Sequence, residues 1–115
     1  MKEYKKVYTE RSGTELIVGR LDVRFERRKG NVLDFALSLK YVKGEEEYEV
    51  YRVDTAPHRE EPHEHLLWRS EAEDRVRPIE GGGWKNYNQL LNQSLDFVDD
   101  NLSKLIRIYK RRKGV

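Results

Sequence analysis

The sequence predicts an α+β fold: a single antiparallel meander sheet of about four or five strands packed by one long C-terminal helix. Three observations predict it. Apolar and polar residues alternate through the first half of the chain, short glycine-bearing turns separate the alternating runs, and one long stretch near the end repeats apolar residues every three or four positions. Alternation is the signature of a sheet with one wet face. Short turns favour antiparallel neighbours, because parallel pairs need long crossovers.

Residues 4–10 form a first candidate strand that breaks at Ser12-Gly13. Over residues 15–28, Ile17, Gly19, Leu21, Val23 and Phe25 fall on one side, with Arg20, Asp22, Arg24 and Glu26 between them. Lys29-Gly30-Asn31 turns the chain. Leu33, Phe35, Leu37, Leu39 and Tyr41 then share a side, opposite Asp34, Ser38 and Lys40. After a turn at Lys43-Gly44, Tyr48, Val50 and Arg52 alternate with Glu49, Tyr51 and Val53. From Ala56 to about Pro62 the two prolines predict a loop. Leu66-Leu67-Trp68 resumes the sheet or opens an edge strand, and residues 70–83 read as irregular. The triple glycine at 81–83 has no P-loop spacing and reads as a hinge.

The helix is predicted over residues 86–112. Leu91, Leu95, Val98, Leu102, Leu105 and Tyr109 recur at helical spacing, widened by Leu90, Phe97, Ile106 and Ile108. Such a stripe must be buried, and the apolar side of the sheet is the available partner. The expected core is Leu21, Val23, Phe25, Phe35, Leu37, Leu39, Leu91, Leu95, Val98 and Leu102. An exposed Leu95 or Leu102 would instead mark the seam of a homodimer.

Length and composition agree with one domain over residues 1–115. The chain is 38% charged, yet 23 basic residues nearly balance 21 acidic ones for a net charge of +2. The mean hydropathy is −0.95. With 37% hydrophobic residues this describes a folded domain with an ion-laced surface. The absence of cysteine excludes disulfides, thiolate zinc sites and cysteine nucleophiles. No apolar run approaches the roughly 20 residues of a membrane span, and the start has no apolar leader, so a cytoplasmic protein without membrane contact is expected.

The only three histidines, His58, His63 and His65, fall within eight positions, just after Asp54 at the end of a strand-like run. His63 and His65, two apart, point the same way in an extended chain. With Asp54, Glu64 or His58 they offer a His/carboxylate set for zinc or manganese, but no fourth ligand has a fixed spacing. The same residues suit acid–base chemistry. Metal-free RNA transphosphorylation needs a base for the ribose 2′-hydroxyl, an acid for the leaving oxygen and a cation for the phosphorane, with no cofactor. His63 and His65 would be the acid–base pair, with His58 in support. Asp54 would orient one imidazole, and Arg52, or Arg69 nearby, would clamp the phosphate. The bland alternatives are an exposed His-rich loop and an Asp54 that caps a turn.

Two basic clusters are candidate phosphate contacts: Arg20 and Arg24 on the polar side of one strand, and Lys110, Arg111 and Arg112 in the helix's last turn. Interleaved Asp22 and Glu26 weaken the first, and a helix dipole accounts equally for the second.

The run Arg52-Val53-Asp54-Thr55-Ala56-Pro57-His58, followed by His63-Glu64-His65, resembles the TumE-type toxins of bacterial and archaeal toxin–antitoxin pairs. The order of meander strands, motif and terminal helix is similar too. Thr55 stands at the family's Asn, and Arg59 where a second histidine often follows His58. The resemblance implies a toxin directed at RNA or translation, whose partner is a helix-turn-helix antitoxin; with the acid–base reading of the residues it would be a metal-independent ribonuclease. The alternative from the residues alone is a non-catalytic module whose helix or basic tail docks a protein or nucleic acid.

Overall fold

The computed structural model describes residues 2–55, 62–70, 72–79 and 87–115. Its elements are β1 (Lys2–Ser12), β2 (Glu15–Arg28), β3 (Asn31–Lys43), β4 (Glu46–Asp54), β5 (His63–Leu66), β6 (Val76–Pro78) and α1 (Asn88–Lys113). The strands form one antiparallel sheet in the order β1-β2-β3-β4-β5-β6, a meander in which every strand pairs with its chain neighbour. The helix lies across one face. The predicted architecture is therefore the observed one, with six strands among the described residues. The additional strand, β6, lies in the stretch read as irregular. It is three residues long, all of them exposed, so it carries no alternation to detect.

The turns follow from backbone sterics. Lys29 and Gly30 both adopt positive φ, 50° and 79°, between the paired residues Arg28 and Asn31. That is the two-residue type I′ geometry, whose twist matches the strands it joins.

The core is the side of the sheet that alternation predicted, closed by the helix. Leu21, Val23, Phe35, Leu37, Leu39, Leu91, Val98 and Leu102 are buried, with Ile17, Val50, Val53, Leu66, Leu105 and Ile106. Phe25 and Leu95 pack against this cluster partly buried. Each large aliphatic buried this way stabilises the fold by about 1.5–3 kcal/mol.

Two bulges correct the simple alternation. In β3, Val32 rather than Leu33 enters the core, at 1% against 41% exposure. The register there passes from Glu26↔Asp34 to Arg27↔Val32, which leaves Leu33 as the extra residue. In β4 the register passes from Lys40↔Glu49 to Leu39↔Tyr51, which leaves Val50 extra. Val50 and Tyr51 are consequently both buried, and Arg52 does not share the side of Tyr48, which packs against the core with Val50. A bulge sets two residues against one and re-aims the side chains beyond it.

The helix is pinned at both ends. The backbone N–H of Tyr87 donates to Val32 O at 3.0 Å. Asn88 accepts from Val32 N at 2.6 Å and donates to Gly30 O at 3.1 Å. At the far end Gly114, at φ 71°, closes the last turn by donating to Lys110 O.

Candidate active site on the open face of the sheet

The face away from the helix is lined by polar and charged side chains in cross-strand rows. One row runs Lys5, Asp22, Ser38, Arg52, His65; the next runs Glu3, Arg24, Ala36, Asp54, His63. The β4 bulge adds Glu49 to this face, because it lets Glu49 and Arg52 point the same way although three residues apart. Their ion pair measures 3.1 Å.

Arg52 is the hub. Its Nη1 donates to Glu49 Oε1, its Nε lies 3.1 Å from Asp54 Oδ2, and its Nη2 lies 3.4 Å from His65 Nδ1. His65 Nε2 lies 3.3 Å from the same Asp54 oxygen. A guanidinium can only donate, so Nδ1 accepts and Nε2 carries the proton toward Asp54. His65 is thus held in one neutral tautomer. Burial, first, and the Arg52 charge hold its pKa below the ordinary 6.5, against the opposing pull of Asp54. Both ring nitrogens are engaged, so His65 takes a substrate proton only after a contact opens.

Asp54 is buried, at 8% exposure. Among the described residues its Oδ1 has no hydrogen-bond partner, and the Nε of Arg52 is not aligned for a hydrogen bond. The end of β4 is instead fastened by Thr55, whose N–H donates to Phe35 O and whose hydroxyl accepts from Phe35 N, both at 3.2 Å. Among the described residues Asp54 caps no turn; the backbone of residues 56–61, which a cap at Asp54 would bond, lies outside them. Glu49 also accepts from the Ser38 hydroxyl at 2.6 Å.

The sequence-predicted residues divide clearly. Arg52, Asp54 and His65 are in mutual contact, and His63 is half-buried opposite Asp54 in register. His58 lies outside the described residues. Glu64 is turned to the helix side, paired with Arg77 at 3.1 Å and beside Tyr51. Arg69 is spent on the Asp74 carbonyl in the β5–β6 connection. Among the described residues no three His, Asp or Glu side chains converge as metal ligands.

The two basic clusters lie on opposite sides of the sheet. Arg20 is neutralised by Asp22 at 2.9 Å and by Glu47, whereas Arg24 is exposed on the open face. On the helix side, Lys110 pairs with Glu15 above the Tyr41 ring and Arg112 pairs with Glu73 at 3.1 Å. Arg111 is exposed. Glu49 and Ser38 were missed by sequence reasoning, since only the bulge aims Glu49 outward.

Fold and site together define a small α+β protein with a one-sided meander sheet and a His/Asp/Arg/Glu cluster on its bare face. Over residues 1–115 the chain matches the family model described as Domain of unknown function (DUF7718), and it belongs to that family. No curated protein and no solved structure matches it. No helix among the described residues is long and apolar enough to cross a membrane.

Proposed function

We propose that this protein is the cytoplasmic toxin of a toxin–antitoxin pair and that it cleaves RNA without a metal at the open face of its sheet. The observation that carries this reading is the contact of Arg52, Asp54 and His65 on a face that the helix leaves uncovered. The resemblance of residues 52–58 and 63–65 to the TumE-type toxins supplies the toxin context, with a helix-turn-helix antitoxin as partner.

The chemistry assigns each group a step. Arg52 turns onto the scissile phosphate and releases His65 Nδ1. His65, already neutral, takes the proton of the ribose 2′-hydroxyl, whose oxygen attacks phosphorus. The 5′ oxygen leaves with a proton from His63, giving a 2′,3′-cyclic phosphate and a free 5′-hydroxyl. Arg52 stabilises the charge that grows on the phosphorane oxygens, and Asp54 holds the imidazole in its tautomer.

The docking-module alternative is less well supported. Most of the helix's apolar stripe is buried against the sheet, with Phe97 left exposed, and two of its terminal cations are paired within the chain.

The test is expression without the partner, alongside a folded His63→Ala/His65→Ala double variant. The wild type should arrest growth and the variant should not. Purified wild type should leave cyclic phosphate ends on RNA in the presence of EDTA. Equal arrest by both proteins would remove the site assignment, no arrest by either would remove the toxin reading, and loss of cleavage with EDTA would point to a metal.

A further inference from the structure

We infer that the shallow trough beside this cluster is a binding track for the phosphodiester backbone of single-stranded RNA, with Lys5 and Arg24 holding phosphates that flank the scissile one. This rests on the RNA-directed reading of the same face.

The trough is a cavity of about 260 Å³ across β1 to β4. Its form follows from side-chain size. On the outer face of β3 stand Ala36 and Ser38, the two smallest side chains lining it, while β2 and β4 on either side carry Asp22, Arg24, Glu49 and Arg52. Short residues on a middle strand between long ones make a channel with a low floor. One wall of that channel is the Arg52 hub itself.

The charges are sorted by function. Lys40 is tied to Asp22 at 2.9 Å, Arg20 to Asp22 and Glu47, and Arg52 to Glu49 and Asp54. Among the described residues Lys5 and Arg24 have no carboxylate partner, although both are exposed at the trough. Glu3, opposite Arg24 in register, forms no ion pair with it. Adjacent strands stand about 4.8 Å apart, so Arg24 lies about 10 Å from Asp54 and Lys5 about 14 Å from Arg52. Those separations set the two cations beside neighbouring nucleotides rather than at the reacting phosphate. Most of the lining residues are polar or charged, which suits a sugar–phosphate chain.

The experiment is fluorescence anisotropy of a labelled 2′-O-methyl oligouridine, which binds but cannot be cleaved, over a range of salt. The Lys5→Ala/Arg24→Ala variant should bind more weakly and lose about 1.4 from the log–log salt slope, the value for two phosphate contacts on a single strand. A control of equal charge change on the helix side, Lys104→Ala/Arg107→Ala, should keep the wild-type slope. An unchanged slope in the first variant, a drop only in the control, or no salt-dependent binding by wild type would each overturn the inference. Binding that follows this pattern while a 2′-hydroxyl RNA stays intact would leave the trough standing and remove the ribonuclease reading.

Discussion

His65 Nε2 lies 3.3 Å from Asp54 Oδ2, yet the pair does not charge the imidazole. Burial and Arg52 outweigh the aspartate, so the folded-state pKa lies below the ordinary value. The unfolded chain then binds the extra proton first as pH falls below about 6.5, and stability drops from there down to the folded pKa; it is fully present above that window. Denaturant midpoints at about pH 7.5 and about pH 5.5 should differ in this direction for wild type, and by less for His65→Gln. Equal differences in the two proteins would show that His65 is not the titrating group.

The balance of charges around the imidazole can be measured directly. Arg52→Gln removes the cation that depresses His65 and should raise its midpoint. Asp54→Asn removes the opposing attraction and should lower it further. NMR titration of the His65 ring protons measures both, and shifts of the same sign would disprove this arrangement.

Asn88 ties the start of the helix to the β2–β3 turn through Val32 and Gly30. Asn88→Ala leaves that backbone donor and acceptor without their partner and should cost about 1–3 kcal/mol in chemical denaturation. A loss under about 0.3 kcal/mol, well below an ordinary buried hydrogen bond, would mean that packing alone sets the helix in place.

Gly19 leaves no room for a side chain beneath the helix: a Cβ there would stand 3.0 Å from Ile106 Cδ1. Gly19→Ala should destabilise by about 1–3 kcal/mol through overpacking. Ile106→Val deletes the crowding methyl, so the double variant should lose less than the two single losses together by at least about 0.5 kcal/mol. Strict additivity would refute the contact.

Legibility in the sequence followed periodicity. The helical stripe, the alternation of β2 and the short turns were enough for the architecture, because each repeats over several residues. The site was legible where types clustered: Arg52, Asp54 and His65 meet as their order suggested. Glu49 was hidden because one extra residue, Val50, reverses the parity of β4, and no local residue type marks a bulge of that kind. Leu33 and Val32 exchanged places for the same reason. Glu64, grouped with the histidines by position, is separated from them by the pleat.

The arrangement of strands also has a consequence for how the chain is made. Their order in space is their order in sequence, so each hairpin can close as soon as its second strand leaves the ribosome, without waiting for distant partners. The helix that covers the apolar side comes after all six strands. During synthesis the sheet therefore passes through a stage in which Leu21, Leu37, Leu39 and Val53 face water. That nascent, uncovered sheet is the species a chaperone would meet, and it is the stage at which aggregation competes with folding.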